Sequence, residues 1–333
     1  QDSSRPQITS TKRTIRTMST DSTTLLIDFL NDVLASAYLH NECYGQVNFN
    51  VLREKNSDQF VIDKWLVRRL SNTRELVEIR KATESVTVSN SALLIGFADF
   101  NLEATNISLS DTKRSAAHFF GFEGDEIPVL PATEKEVNLL GQLMTSRQWA
   151  VTKLMQAEAS EENIKKLQGQ SVVHIASHGY FLMDIAQEES SYNQDFLSNP
   201  LFQSGILLSG AAVPARAREG KEDGILTAYE AMSLNMDKTE LVALSACETG
   251  LGEIQNGEGV FGLQRSFLVA GASSILMSLW QVDDVATQEL MIKFYSVWLG
   301  GEDKHEAFKK AQLEMKDKFK EPYYWGGFIM VGK

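Results

Sequence analysis

The chain has 333 residues, 43% of them hydrophobic, and a formal net charge of −12. That apolar fraction can fill a large core and excludes a disordered chain, and the acidic balance excludes direct binding of nucleic acid through its phosphates. Two cysteines and no pair of CxxC motifs exclude a disulfide framework and a structural zinc site, and no apolar run reaches the roughly 18 residues that cross a bilayer.

Residues 1–21, "QDSSRPQITSTKRTIRTMSTD", are polar and rich in Ser and Thr. They start without Met and have no apolar centre, so they read as a linker cut from a longer protein rather than a signal peptide. Over 22–39, Leu26, Phe29, Leu30, Val33, Leu34 and Tyr38 recur at helical spacing. Residues 1–45 are therefore expected to be a linker and a helix. A divergent lead-in follows over 46–89, with a short alternating part in "FVIDKWLV" and a helix starting near Ser71.

The pattern changes after residue 90. Short apolar runs at "ALLIGFA" (92–98), "SVVHIAS" (171–177), "LVALSA" (241–246), "SSILMSLW" (273–280) and "GFIMVG" (327–332) predict buried strands. Helical stretches lie between them. In "ATEKEVNLLGQLM" the apolar positions are Val137, Leu139, Leu140 and Leu143, and "EENIKKL" is shorter. "TAYEAMSL" opens with Thr227 and has Glu230 three residues on, a capping-box spacing. Ala286, Leu290, Met291, Phe294, Val297 and Trp298 share one face, and "KHEAFKKAQLEMKDKF" is amphipathic. Strands alternating with helices predict an α/β fold with a mostly parallel sheet between helical layers. The longest irregular stretch, 182–224, carries Arg216, Arg218 and Lys221 as candidate self-cleavage points.

Two of the predicted strands end in reactive side chains. "SVVHIAS" runs into His178-Gly179, and "LVALSA" runs into Cys247. In an open α/β sheet ligands bind beyond the carboxyl ends of the strands. If the two strands are neighbours, a thiol and an imidazole face each other there. An imidazole activates a thiol for attack on a carbonyl and returns the proton to the leaving amine. Backbone N–H groups of Gly179 and Cys247 are the candidate oxyanion donors. The other members of these residue types carry no reacting role: Cys43, in a loop, reads as a small buried hydrophobe, His174, inside the strand, as structural or as a support for the reacting groups, and His40, His118 and His305, on or beside helices, as solvated or structural.

"GEGVFG", Gly257 to Gly262, fits the G-x-G-x-x-G pattern of a dinucleotide-binding turn, with Asp283 downstream as the ribose acid. That motif needs its first glycine directly after a strand, and the preceding strand ends near Ala246. A nicotinamide-dependent oxidoreductase is therefore the minor alternative. A catalytically silent interaction module is the other.

The two reactive stretches, "VVHIASHGYF" and "LVALSACETGLGEIQNGEGVFGLQRSFLVAGASSILMSLWQVDD", with "EDGILTAYEAMSLNM" between them and "WGGFIMVG" at the end, resemble the CHAT family. That family belongs to the caspase-like clan of cysteine peptidases, together with separase and gingipain, and is found with TPR repeats. The resemblance covers residues 90–333 best and extends over 46–333. It implies a caspase-like three-layer α/β/α sandwich, with an N-terminal helical lead-in here. It also implies a cysteine endopeptidase with a His178–Cys247 dyad, needing no cofactor or metal. The expected partners are a protein substrate and an upstream TPR or sensor segment, in a cytoplasmic bacterial defence or cell-death system, with no membrane. By analogy with related folds, Ser278, Leu279, Trp280 and Gln281 line the substrate groove, and Asp283 and Asp284 shape its first pocket. The alternative for the two aspartates is that they start the next helix, where carboxylates favour the dipole.

Overall fold

Five apolar runs, each too short to span more than one strand, come together in a single sheet. The computed structural model describes residues 48–53, 58–71, 75, 77, 79, 90–102, 120, 122, 126–181, 199–212, 222–245, 253–255, 259–280 and 282–333. The helix expected over 22–39 lies outside them, as does the rest of 1–45.

Among the described residues the elements with defined bounds are, in chain order, α1 (Val61–Lys64), β1 (Ser91–Ala98), α2 (Pro131–Ser146), β2 (Ala150–Gln156), α3 (Glu161–Ile164), β3 (Val172–Ala176), β4 (Gly179–Phe181), β5 (Ser204–Leu207), β6 (Ile225–Thr227), α4 (Ala228–Ala231), β7 (Leu241–Ser245), β8 (Glu253–Gln255), β9 (Gly259–Phe261), α5 (Leu263–Val269), β10 (Ser274–Ser278), α6 (Asp284–Trp298), α7 (Lys304–Lys318), α8 (Pro322–Trp325) and β11 (Phe328–Gly332), besides short 3-10 turns. The central sheet has the order β11-β10-β7-β3-β1-β2. It is parallel except for β11, which runs against β10. Two smaller sheets, β4-β5-β6 and β8-β9, are antiparallel.

Every residue of β3, β7 and β10 is buried. A parallel strand covered on both faces must be apolar on both faces, which is why these strands read as continuous runs. Strand β2 lies at the sheet edge with every residue partly or fully exposed, and Thr152 and Lys153 interrupt any apolar run there. The sequence pattern did not announce it for that reason.

One face of the sheet packs on α2, α6 and α7, together with Phe60 and Ile62 of the lead-in and Trp325. The other packs on residues of α3 and α5 and on the β4-β5-β6 sheet, through Ile164, Leu263, Phe267, Tyr180, Ile206 and Leu226. The result is the three-layer α/β/α sandwich that the sequence predicts.

Local chemistry sets the ends of the elements. Thr227 and Glu230 close the expected capping box at α4. The Asp283 side chain accepts from Ala286 N at 2.8 Å and caps α6. Helix α2 starts with Pro131 at its first turn and buries Thr133, Glu136, Val137, Leu140, Gly141 and Met144, the i, i+3, i+4, i+7 stripe. Leu139, read as part of the apolar face, falls off that stripe and is 37% exposed.

Helix α2 lies very close to β1. A side chain at Gly96 would place its Cβ 2.7 Å from Val137 Cγ2. At the next residue the strand bulges, with Phe97 at φ 51, and the Phe97 N–H donates to Thr133 Oγ1 at 2.9 Å. The first turn of α2 is thus fastened to the end of β1.

The order of the sheet also locates the cleft. From β1 the chain moves to β2 on one side, then to β3, β7 and β10 on the other. The reversal between β1 and β3 opens the crevice where an open α/β sheet takes its ligands.

Candidate active site

Strands β3 and β7 are parallel neighbours in register, with Val172 opposite Leu241 and Ala176 opposite Ser245. Their carboxyl ends therefore emerge side by side. His178 follows two residues after Ala176, and Cys247 two residues after Ser245. Cys247 itself lies outside the described residues, as do Gln281, Cys43, His40, His118, Arg216, Arg218 and Lys221.

His178 is half-buried between two aromatic rings. Its ring centroid lies 5.1 Å from that of Phe100, just beyond β1, and 4.9 Å from that of Phe122. Its Nε2 is 2.8 Å from the carbonyl oxygen of Pro128. A carbonyl only accepts, so Nε2 carries the hydrogen and Nδ1 is the nitrogen left for a reacting group. Burial lowers the pKa of His178 below its ordinary value. The Pro128 carbonyl and the Asp284 carboxylate oppose that shift by favouring the proton. Burial raises the pKa of Asp284 in turn, with Asp283 adding to the rise and His178 opposing it.

Gly179 opens β4. Leu207 N donates to His178 O at 2.9 Å while Gly179 stands opposite Ile206. In an antiparallel ladder this makes Gly179 and Ile206 a non-hydrogen-bonded pair, so the Gly179 N–H points away from β5. Strand β4 is the edge of its sheet, so among the described residues that N–H faces no neighbouring strand.

The residues expected to line the groove divide. Ser278 is fully buried in β10, and Leu279 is 7% exposed. Trp280 is half-buried, its ring against Gly326 and Gly327, with Nε1 directed at Tyr323 O at 3.4 Å. Asp283 caps α6, as the structural alternative for it requires. Asp284 is exposed on the first turn of that helix. Trp280, Asp283 and Asp284 are thus the described members of the set that keep exposed surface, and the Asp283 side chain is engaged as the cap of α6.

Beneath the strand ends lies a buried polar cluster. His174 Nε2 is 2.9 Å from Glu136 Oε1, His174 Nδ1 is 3.3 Å from the Tyr295 hydroxyl, and Ser245 Oγ donates to Glu136 Oε2 at 3.1 Å. The sequence marks His174 as structural or as a support for the reacting groups, and Glu136 is not singled out in it. A carboxylate on the buried stripe of an amphipathic helix was the signal for it. Pro128, Phe100 and Phe122 carried no comparable signal.

Away from the strand ends, Glu161, Glu222 and Glu230 bring carboxylate oxygens within 4.8 Å of one another. The Lys165 ammonium lies among them, at 2.6, 2.9 and 3.1 Å. A lysine thus supplies the cation of that cluster. Gly259–Phe261 is the second strand of the β8-β9 hairpin, and Gly262 caps α5, a helix of seven residues. These glycines do not follow a strand of the central sheet, so the dinucleotide motif lacks its required setting. Among the described residues, no helix is long and apolar enough to cross a membrane.

A protein-family model described as the CHAT domain matches residues 43–333. The chain belongs to the CHAT domain family. Two curated proteins share sequence with this CHAT domain, both named tetratricopeptide repeat protein 28. The human protein is 24% identical over 220 residues, covering 61% of this chain and 8% of that protein. The mouse protein is 31% identical over 110 residues, covering 32% of this chain and 4% of that protein. The chain thus spans less than a tenth of either relative. Among solved structures, the crystal structure of the Arg-specific cysteine proteinase gingipain R superposes with a TM-score of 0.46 at 10% identity, covering 79% of this chain and 52% of that one.

Proposed function

We propose that this CHAT domain is a cysteine endopeptidase in which His178 and Cys247 are the reacting pair. The observation that carries this reading is the register of β3 with β7. Ala176 stands opposite Ser245, and the imidazole and the thiol each follow two residues later in sequence.

The Cys247 thiol gives its proton to Nδ1 of His178, and the sulfur attacks the scissile carbonyl carbon. The N–H groups of Gly179 and Cys247 hold the oxyanion; the outward direction of the Gly179 N–H at the edge of β4 supports its part. The imidazolium then protonates the leaving amine, leaving a thioester on Cys247. Water gives a proton to His178, its hydroxide attacks the thioester, and the product carboxylate leaves as the thiol is restored. The substrate chain lies extended beside Trp280 and Asp284. Residues 46–333 form the peptidase domain and 1–45 the linker that joins it to an upstream sensor. The repeats named in the curated relatives support a TPR segment in that role. The enzyme cuts a partner protein when the sensor is engaged, in bacterial defence or cell death.

A peptide-library cleavage screen on the full chain tests this reading. Cys247→Ala and His178→Ala should each lower cleavage by about 10²-fold or more while circular dichroism and melting stay those of the parent. Cleavage retained in either variant overturns it.

A further inference from the structure

Four polar side chains meet inside the otherwise apolar layer between the sheet and helices α2 and α6. Glu136 is 2% exposed, Ser245 is 5% exposed, and His174 and Tyr295 are fully buried. One Glu136 oxygen accepts from His174 Nε2, the other from the Ser245 hydroxyl, and the Tyr295 hydroxyl meets the second ring nitrogen of His174. The cluster thus joins α2, β3, β7 and α6 at one point.

Such a cluster is a poor way to gain stability. Burying a carboxylate costs several kcal/mol in desolvation, and well-packed apolar side chains of similar volume commonly do as well or better. The surrounding positions are apolar: Val137 and Leu140 on α2, Val172 on β3, Leu241 and Ala243 on β7. A carboxylate in that setting breaks the local pattern, and such breaks concentrate where function needs them.

What the carboxylate adds is direction. Apolar packing is non-directional, whereas a hydrogen bond fixes both distance and orientation. Ser245 lies two residues before Cys247, and His174 four residues before His178. Glu136 itself is on the helix that the Pro128 segment leads into, and the Pro128 carbonyl holds His178 Nε2. One carboxylate therefore ties both strands of the reacting pair to the element that orients the imidazole.

We propose that Glu136 is a positioning residue for the His178–Cys247 pair, acting through His174 and Ser245. The inference rests on the cysteine-peptidase reading and deepens it. Glu136 touches neither substrate nor reacting atoms. It holds the strand ends and the Pro128 carbonyl in the one arrangement that lets Nδ1 of His178 reach the thiol.

The test reads Cys247 directly and needs no known substrate. In the full chain carrying Cys43→Ser, Cys247 is the remaining cysteine. The rate of its alkylation by iodoacetamide is followed from about pH 5 to about pH 9, a range that spans the titration of thiol and imidazole. Four proteins are compared: this parent, His178→Ala, Glu136→Gln and Glu136→Leu. His178→Ala should slow alkylation near neutral pH by about tenfold, as loss of imidazole assistance to a thiol implies. Both Glu136 variants should lose at least half of that assistance while melting no lower than the parent by more than a few degrees. Reactivity lost at retained stability separates positioning from a merely structural role. Should Glu136→Leu fail to fold, the near-isosteric Glu136→Gln decides. If the Glu136 variants keep the parent's pH profile while His178→Ala changes it, the positioning role is overturned and the pair stands. If His178→Ala leaves the profile unchanged, the pair itself falls, and the inference with it.

Discussion

The Nε2 nitrogen of His178 lies 2.8 Å from the carbonyl oxygen of Pro128, fifty positions earlier in the chain. A main-chain oxygen that can only accept thereby fixes which ring nitrogen holds the hydrogen. The flanking rings of Phe100 and Phe122 keep water from much of the imidazole.

The state of that histidine is the first expectation. Burial disfavours the imidazolium, so His178 should titrate below 6.5 and stay neutral, with the hydrogen on Nε2, at pH 7. Asp284 acts the other way, so Asp284→Asn should move the midpoint lower still. Nitrogen-15 NMR of the imidazole reads both tautomer and midpoint. A midpoint above 6.5, or one that rises in Asp284→Asn, contradicts the assignment of these causes.

Gly96 sets the approach of α2 to β1. Gly96→Ala pushes a Cβ toward Val137 Cγ2 and the Thr133 carbonyl, at 2.7 and 3.2 Å. Helix α2 must then move off the sheet, at a cost of about 1–3 kcal/mol. Denaturant unfolding measures the loss, and an unchanged midpoint would show that the helix gives way freely.

Lys165 neutralises a crowded acidic corner. Its ammonium serves Glu161, whose side chain is fully buried, and also Glu222 and Glu230. Burial raises the pKa of Glu161 and Lys165 opposes the rise; Glu230 and Asp223 add to it. Lys165→Met leaves these carboxylates without their cation and should cost about 3 kcal/mol at pH above the pKa of Glu161, which burial pushes up to about 8. Glu161 takes a proton as the pH falls through that value, which should return part of that stability. A loss that grows toward acid pH would refute the account.

His305 contributes acid sensitivity of the opposite sign. Burial, with Arg68 and Lys304 adding, lowers it to about 4, and its side chain belongs to a residue only 3% exposed. In the unfolded chain it titrates near 6.5, so between those values the unfolded state binds the extra proton. Stability should fall as pH drops through 6.5, with the full penalty of about 3 kcal/mol reached below about 4. Unfolding measured across this range should flatten in His305→Gln. An acid limb of the same slope in that variant rules the histidine out as its source.

The particular elements explain what could be read in advance. Strands β1, β3, β7, β10 and β11 were legible because burial on both faces demands uninterrupted apolar runs, and α6 because its buried stripe repeats at helical spacing. Thr227 and Glu230 announced their helix through a capping pair that needs no tertiary partner. Strand β2 escaped because an edge strand with Thr152 and Lys153 carries no such run. Leu139 was misplaced because a helix stripe is narrower than its apolar content suggests.

By itself the sequence determined which segments are buried strands, that His178 and Cys247 each stand just past one, and that the chain alternates β and α. Tertiary structure decided that β3 and β7 are neighbours in register, that a proline carbonyl meets the imidazole, and that a glutamate lies under both strand ends. The physical reason is range. Periodicity and capping record the burial and the ends of one element at a time, whereas a hydrogen bond between residues fifty or a hundred positions apart exists only once the layers have packed.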